Sequence, residues 1–346
     1  MIVYILKRIL LMIPTLIGAL TITFLIIQFV PGGPVEQLMA EMRGGAGSSG
    51  DTGRVSAARD INEQQIAELR KLYGFDKPPL ERYVAMMKSF AQLDLGKSFL
   101  RNKSVWDLIK EKLPVSISLG LWTFVLSYLL SIPLGIAKAV REGSRFDTLT
   151  TVVVLAGYAI PGFVLGVVLI VLFAGGSFLD WFPLRGLVSD NWADLSWPAR
   201  IRDYLWHLAM PLLCFAIGSL AVITMLTKNT FVEEIRKQYV LVARAKGLSN
   251  RRVLYKHVFR NALIPLVTGF PAAFVGAFFA GSLLIETLFS LDGLGLLSYE
   301  SLIRRDYPVV LGTLYFFTLI GLVVKLVGDL LYVVVDRRVQ FGAVAK

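Results

Sequence analysis

Six long runs without a charged residue divide this chain, and no other feature constrains its fold as strongly. A helix needs about 20 apolar residues to cross roughly 30 Å of hydrocarbon. Five runs meet this length, and the sixth continues as an apolar stretch past Lys325 and Asp329, which are four residues apart and can pair on one helix face. The runs are Ile9–Val35, Leu113–Ala137, Thr148–Leu179, Tyr204–Thr227, Asn261–Ile285 and Tyr307–Val324. We therefore predict an all-α membrane protein with six transmembrane helices.

The composition agrees with this class of protein. Hydrophobic residues make up 55% of the 346 residues and charged residues 18%, whereas a soluble domain has roughly 45–50% and about 25%. The single cysteine excludes a fold held together by disulfides. The net charge of +11 has three candidate causes, namely nucleic acid, an anionic membrane surface or membrane topology. The positions of the charges decide among them.

The basic residues concentrate in one loop between predicted spans. Residues 228–260 carry nine Lys or Arg and two Asp or Glu. By contrast, residues 180–203 carry three basic and four acidic residues, and residues 286–306 carry two basic and four acidic residues. Because short cytoplasmic loops carry the excess of Lys and Arg, we predict that this basic loop and both termini are cytoplasmic. The first run is too long for a signal peptide, and Pro31-Gly-Gly-Pro34 is no cleavage site, so this helix is expected to be retained.

Three regions follow from this topology. Residues 1–31 are the N-terminal transmembrane helix, residues 32–112 an external cap, and residues 113–346 the transmembrane core with a cytoplasmic loop at 228–262. Residues 43–59 are small and polar, which is typical of a flexible insertion. Apolar periodicity predicts three short helices in the cap. They are a helix from Ile61 that ends at Gly74, a second over Leu80–Ala91 and a third over Val105–Lys112.

Proline and small residues mark the predicted spans. Pro133, Pro161 and Pro271 can bend the second, third and fifth spans. Small residues recur at four-residue spacing in Gly162-x-x-x-Gly166 and again at Ala272, Gly276 and Ala280. Close helix packing and the general frequency of glycine in membrane helices explain these spacings equally well.

The sequence indicates no catalytic, cofactor or metal site. Gly96-Lys97-Ser98 completes a relaxed phosphate-loop pattern, but that motif needs a preceding strand and access to ATP, and neither is expected here. His207 and His257 are predicted on opposite sides of the membrane. Cys214 lies in an apolar run, where packing is the usual role of a cysteine. We expect no catalytic residue, cofactor or metal ion on this chain.

The basic loop has an ordered pattern of its own. A helix is predicted to run to Lys246 with basic residues in its last turn, Gly247 is its left-handed stop, and Ser249 or Asn250 caps the next helix. One interpretation is a helix-turn-helix for nucleic acid, which two membrane tethers make a poor fit. Another is a docking element for a cytoplasmic partner. A merely solvated basic loop would explain the charge but not the order.

At these residues the chain resembles the permease subunits of ATP-binding-cassette (ABC) importers, specifically the dipeptide/oligopeptide family. The family's cytoplasmic "EAA" loop looks like Tyr239-Val-x-x-Ala243-Arg244-Ala245-Lys246-Gly247-Leu248, followed by His257-x-x-Arg260-Asn261-Ala262-x-x-Pro265. Leu241-Val242 stands where the general motif has Glu-Ala. The resemblance covers most of the chain and includes, in order, Val30-Pro31-Gly32, Leu93–Ser98, Pro133-Leu134-Gly135, Ile160-Pro161-x-Phe163, Ile285–Phe289, Gly293-Leu294-Gly295, Arg305–Pro308 and Asp329–Tyr332.

This resemblance implies a multi-pass subunit of the bacterial inner membrane that imports peptides. The implied partners are a homologous second permease, two cytoplasmic ATPase subunits or one fused ATPase, and an external peptide-binding protein. ATP and magnesium would bind to the ATPase partners, and the external helices would be a docking surface for the binding protein. The implied ATPase-docking residues are Tyr239, Ala243, Arg244, Lys246, Gly247 and Leu248. The resemblance implies a peptide path among the second to fifth spans, but nothing in the sequence singles out its lining.

Some features depart from the family pattern and leave alternatives open. Residues 43–59 look like an insertion relative to ordinary members, which indicates a branch similar to permeases for longer or modified peptides, such as microcin C-type uptake systems. Arg337 stands where a proline usually follows the final aspartate, and Lys325 is unusual at its position. An ion-coupled secondary transporter and a membrane receptor or scaffold without transport are the two alternative functions.

Overall fold

The computed structural model of the chain describes residues 2–30, 75–176, 178–279 and 282–335. Over these ranges the chain is helical, and its β pairing there is one isolated bridge between Lys97 and Ser104. The helices are α1 (Ile2–Phe29), α2 (Pro79–Ala91), α3 (Val105–Val140), α4 (Arg145–Ala159), α5 (Gly162–Phe173), α6 (Trp197–Ile235), α7 (Gln238–Ala245), α8 (Asn250–Ala262), α9 (Ile264–Phe279), α10 (Ser282–Leu288), α11 (Leu294–Ile303) and α12 (Tyr307–Val335). Within α8 the segment Val253–Val258 is π-helical. This architecture confirms the predicted all-α class.

The long apolar helices account for the predicted membrane spans. Helices α1, α3, α6 and α12 are each long and apolar enough to cross a membrane. Two bent pairs, α4 with α5 at 94° and α8 with α9 at 50°, pass the same test together. The described residues therefore hold four spans, or six if each bent pair is one span. The predicted number of six spans agrees with the structure if each bent pair is counted as one span.

The third predicted span is not one continuous helix. Helix α4 ends at Ala159, Ile160 has extended backbone angles (φ −89°, ψ 119°), and α5 starts after Pro161. The ring of a proline disfavours helical geometry at the residue before it, which is why the break falls at Ile160. Pro133 and Pro271 lie inside α3 and α9, which continue through them.

The external cap differs from its prediction at one helix. The expected helix at Leu80–Ala91 is confirmed as α2, but Val105–Lys112 does not end at Lys112 and instead forms the first part of α3. Val105, Leu108 and Ile109 are buried on one face of this first part, so it packs as an amphipathic helix. The predicted insertion at 43–59 and the helix from Ile61 lie outside the described residues.

The described chain divides into two compact units. The first comprises residues 1–5, 113–296 and 321–346. In its core, Gly162 and Gly166 allow α5 to pack closely, since a Cβ on Gly162 would lie 2.5 Å from the Cys214 carbonyl oxygen and one on Gly166 would lie 2.6 Å from Leu288 Cδ2. The Gly162-x-x-x-Gly166 spacing is therefore a packing motif. A Cβ on Gly276 would meet no atom within 4 Å, so packing within the described residues does not explain the second spacing.

The second unit comprises residues 6–112 and 297–320. Its core includes Leu95 and Val105, and Gly312 of α12 lies against both. A Cβ on Gly312 would lie only 2.6 Å from Val105 Cγ1. Phe90 of α2 packs edge-on against Tyr315 of α12, with ring centroids 5.4 Å apart. These contacts hold the start of α3 and the first part of α12 together.

Candidate functional site

The basic loop folds as a hairpin, which we call the basic hairpin: α7, the turn at residues 246–249, and α8. Gly247 has φ +80°, its amide donates to the Arg244 carbonyl at 2.9 Å, and the Leu248 amide donates to the Ala243 carbonyl at 3.3 Å. This pair of bonds is a Schellman motif, which satisfies the last carbonyls of a helix. The Ser249 hydroxyl accepts from the Arg252 amide and caps α8. The predicted stop and cap are thus confirmed.

The basic hairpin packs onto the end of α6 through an apolar core. Val240 and Ala243 of α7 are buried together with Phe231 of α6 and with Val253 and Val258 of α8. Ala243 is only 7% exposed. Its small side chain therefore lets α7 approach the two neighbouring helices.

The opposite face of α7 is apolar as well as basic. Leu241 and Val242 are 58% and 53% exposed, and Arg244 and Lys246 beside them are also exposed. An exposed apolar pair flanked by cations is a candidate contact for a partner protein. From the sequence, Leu241 and Val242 were noted only as the residues that replace Glu-Ala in the motif. The hydrophobic periodicity of so short a helix does not show which of its faces is left exposed.

A polar network closes the base of the basic hairpin. The Tyr239 hydroxyl donates to Glu234 Oε2 at 2.7 Å, and Lys237 forms an ion pair with Glu234. The Asn261 amide lies within hydrogen-bonding reach of both Glu234 and Tyr239. Burial, and then the bond to Glu234, raises the pKa of Tyr239 to about 12, so the phenol stays protonated. The network ties the ends of α6, α7 and α8 together.

The structure divides the six predicted docking residues into two groups. Arg244, Lys246 and Gly247 are exposed on the hairpin surface. Tyr239 and Leu248 are partly buried and pack against the hairpin core, and Ala243 belongs to that core. The six residues are brought together in one hairpin, but only the first group lies on its exposed side.

A buried charge cluster lies at the adjoining ends of α3, α4 and α6. Lys138 is fully buried, and its ammonium lies 3.0 Å from Asp147 Oδ1 and donates to the hydroxyls of Thr150 and Thr151. Lys228 Nζ reaches Asp147 Oδ2 at 2.7 Å. One buried carboxylate therefore joins three helices. The cluster was not found from the sequence, where its members only mark the ends of apolar runs.

A second buried carboxylate belongs to the segment Ile285–Phe289. Glu286 of α10 is buried, and its Oε2 accepts from the Leu296 amide at 2.7 Å. The Leu294 amide donates to the Ser116 hydroxyl at 2.8 Å. Both bonds satisfy amides in the first turn of α11, where a negative charge is also favoured by the helix dipole. Glu286 thus caps α11.

The phosphate-loop pattern has a structural use. The Ser98 hydroxyl donates to Asp306 Oδ2, and the Phe99 amide donates to Asp306 Oδ1 at 3.0 Å. Asp306 is fully buried. Because the Ser98 hydroxyl also accepts from the Arg101 amide at 2.9 Å, it is engaged within the fold. The two motifs Leu93–Ser98 and Arg305–Pro308 meet at this contact.

A cavity of about 400 Å³ opens in the first unit, among α3, α4, α6 and α9. Aromatic rings from three of these helices form part of its wall, including Phe124, Tyr128 and Phe215. Phe124 packs edge-on against Phe270 of α9, with ring centroids 5.0 Å apart. The wall residues are Thr123, Phe124, Ser127, Tyr128, Tyr158, Phe215, Gly218, Ser219, Val222, Ile223, Ala273 and Gly276. The sequence did not locate this lining.

A helical core of apolar helices that surrounds a cavity and carries an ordered basic hairpin suits the membrane subunit of a transporter. Over residues 131–341 the chain matches the family described as "binding-protein-dependent transport system inner membrane component". The chain belongs to this family and is a permease subunit of an ABC importer in the inner membrane. The ATPase site of such importers lies on other subunits, and the family functions with a partner permease, ATPase subunits and a binding protein.

Named relatives match nearly the whole chain. It is 53% identical over 356 residues to the peptidoglycan transport system permease protein YejB of Agrobacterium fabrum, with 98% of each chain covered. It is 51% identical to the inner membrane ABC transporter permease protein YejB of Escherichia coli O157:H7, again over 98% of each chain. It is 33% identical to the di/tripeptide transport system permease protein DppB of Pseudomonas aeruginosa, over 98% of this chain and 99% of the relative.

Proposed function

We propose that this permease subunit carries peptides, or fragments that contain a peptide, into the cytoplasm. Its relatives support this substrate class by their names, which refer to peptidoglycan transport and to di/tripeptide transport. The observation that carries the mechanism is the basic hairpin, which presents Leu241 and Val242 beside exposed cations on a rigid turn. Such a surface suits the cleft of a partner ATPase.

The proposed coupling runs from the ATPase to the membrane core. Binding of ATP and magnesium closes the ATPase pair, and the basic hairpin, docked through Leu241, Val242, Arg244 and Lys246, follows that movement. Because the hairpin shares an apolar core with α6 and continues into α9, it moves with these helices. The pathway then switches from inward-open to outward-open. Gly247 contributes by fixing the turn that presents Arg244 and Lys246.

The proposed assembly has four kinds of component. A homologous second permease pairs with this chain, two ATPase subunits or one fused ATPase bind on the cytoplasmic side, and a binding protein delivers the substrate from outside. Both termini and the basic hairpin face the cytoplasm in this arrangement, in keeping with the excess of Lys and Arg in residues 228–260. The chain itself needs no bound cofactor.

Reconstitution of the whole importer tests this function. The purified complex in liposomes is expected to hydrolyse ATP faster when the binding protein carries a peptide, and to accumulate that peptide only when ATP is supplied. A parallel measurement with a peptide-bearing peptidoglycan fragment compares the two substrate classes named for the relatives. Uptake driven by an ion gradient without ATP would identify a secondary transporter, and substrate binding without uptake would identify a receptor; either result would refute the proposal.

A further inference from the structure

The cavity in the first unit lies near the middle of the two longest helices that form it. Helix α3 runs over Val105–Val140 and α6 over Trp197–Ile235, and the wall residues at 123–128 and 215–223 lie within about two helical turns of the two midpoints. At 1.5 Å per residue this is within about 12 Å of half height in each helix. Its volume of about 400 Å³ falls within the range of ligand pockets.

Two hydroxyl groups on the wall have no hydrogen-bond partner within the described chain. Thr123 and Ser127 of α3 are 2% and 1% exposed, and the side-chain oxygen of each is unpaired. Serine and threonine in helices ordinarily donate to a nearby carbonyl. Ser131, one turn further along α3, donates to the Leu220 carbonyl at 3.0 Å, and Thr268 of α9 donates to Ile264 at 2.8 Å. Thr224 of α6 and Ser301 of α11 are unpaired as well, but neither belongs to the wall. The hydroxyls of Thr123 and Ser127 are the buried, unpaired ones among the wall residues, and an incoming group would supply their partners.

The chemistry of the wall restricts what can bind. Among the described residues that form it, none carries a charge. The rings of Phe124, Tyr128 and Phe215 offer apolar and aromatic contact, while Thr123 and Ser127 offer hydroxyls that can donate to a carbonyl or accept from an amide. A charged group would lose its hydration here without meeting an opposite charge.

We infer that this cavity binds an uncharged segment of the transported peptide, with backbone amides on the hydroxyls of Thr123 and Ser127 and an apolar side chain against the rings. The inference rests on the proposed function and adds to it the residues that contact the substrate. It makes α3 and α6 determinants of specificity: neutral and aromatic peptides pass more readily than charged ones of equal length.

Gly218 is a position on the wall from which a larger side chain would narrow the cavity. A Cβ on Gly218 would meet no atom within 4 Å, and the same is true of Gly269, which is not part of the wall. In the reconstituted importer, Gly218→Leu is expected to lower uptake of a tryptophan-containing tripeptide relative to its glycine counterpart by about tenfold. Gly269→Leu, the matched control, is expected to keep the wild-type ratio.

The hydroxyls have a separate test. The double variant Thr123→Val, Ser127→Ala is expected to raise the KM for peptide uptake several-fold while the melting temperature stays the same or rises, because neither hydroxyl has a partner to lose in the empty protein. A lower melting temperature with an unchanged KM would assign the two groups a structural role and overturn the inference.

A charge placed on the wall gives a test with opposite signs. Ser219→Lys is expected to favour an acidic over a basic tripeptide by about tenfold relative to wild type, and Ser219→Asp to have the reverse effect. Equal losses for both peptides in both variants would overturn the inference. Dissociation of the second permease from the Gly218→Leu complex would assign the cavity to a helix of that partner and would also overturn it. Wild-type complex that takes up no peptide with ATP would instead refute the proposed function.

Discussion

The carboxylate of Asp147 lies 3.0 Å from the ammonium of Lys138, whose side chain is fully buried where α3 ends and α4 begins. Asp147 also accepts from Lys228 at 2.7 Å and from the Gly143 amide at 3.1 Å. Removing two cations and a carboxylate from water is costly, and the cost is offset only while all their bonds are made. This contact therefore fixes the ends of three helices with little tolerance for change.

Asp147→Asn is expected to destabilise the protein strongly. It leaves Lys138 buried without its counter-charge, which costs about 3–5 kcal/mol of the free energy of unfolding. Lys228→Met is the matched control and is expected to cost less, since the Lys228 side chain is 16% exposed and Asp147 keeps Lys138. Thermal unfolding in detergent measures both variants. Equal melting temperatures for Asp147→Asn and wild type would contradict the prediction.

Gly293→Ala is expected to disturb the cap of α11. A Cβ at Gly293 would lie 2.8 Å from the carboxylate of Glu286, which is buried and cannot easily withdraw. We expect a loss of about 1–3 kcal/mol in the free energy of unfolding. Gly321→Ala in α12 is the control, because a Cβ there meets no atom within 4 Å and alanine favours a helix. A Gly293→Ala variant as stable as Gly321→Ala would show that Glu286 has room to move.

Asp306→Ala is expected to release the segment that contains Ser98 and Phe99. The variant removes the acceptor of the Ser98 hydroxyl and the acceptor of the Phe99 amide, at a cost of about 1–3 kcal/mol. Hydrogen exchange should report faster exchange at Phe99 than in wild type. Asp306→Asn retains one carbonyl oxygen and should exchange at an intermediate rate. Unchanged protection in Asp306→Ala would mean that other contacts hold this segment.

Two substitutions at Gly247 test how much backbone strain the turn tolerates. A Cβ there would meet no atom within 4 Å, but φ is +80°, which costs most residues about 1–2 kcal/mol. Gly247→Val is expected to distort the turn and to lower both co-purification of the ATPase and its stimulation by loaded binding protein. Asparagine adopts this conformation more readily, so Gly247→Asn should retain most of both. If Gly247→Val retained ATPase co-purification and stimulation as fully as Gly247→Asn, the conformation of the turn would have no role in coupling.

Local patterns located most of the helices and their ends. The stop at Gly247 and the cap at Ser249 are set by a few neighbouring residues, and both were predictable. The break at Ile160 was only half predictable, because Pro161 marks a bend but so did Pro133, and α3 continues through the latter. Whether a proline interrupts a helix depends on how well neighbouring helices hold the chain on either side.

Contacts distant in sequence were beyond prediction. Ser98 and Asp306 are 208 residues apart, and Lys228 and Asp147 are 81 residues apart. Asp147, Lys228 and Asp306 are in isolation ordinary charged residues at the edges of apolar runs, and Ser98 is the last residue of a phosphate-loop pattern. Only the packing of the helices shows that the two members of each pair are in contact. Hydrophobic periodicity predicts which face of a helix is buried, but not which other helix packs against that face.

The sequence by itself determined that this chain is an all-helical membrane protein, since charged residues are too costly to place within a bilayer and their spacing marks the spans. Its ordered motifs also predicted the permease family. Tertiary structure alone decided that Ala243 faces inward while Leu241 and Val242 face outward, and that Thr123 and Ser127 line a cavity. The physical reason is that the side of a helix left free is set by its neighbours, and these come together only when the chain folds.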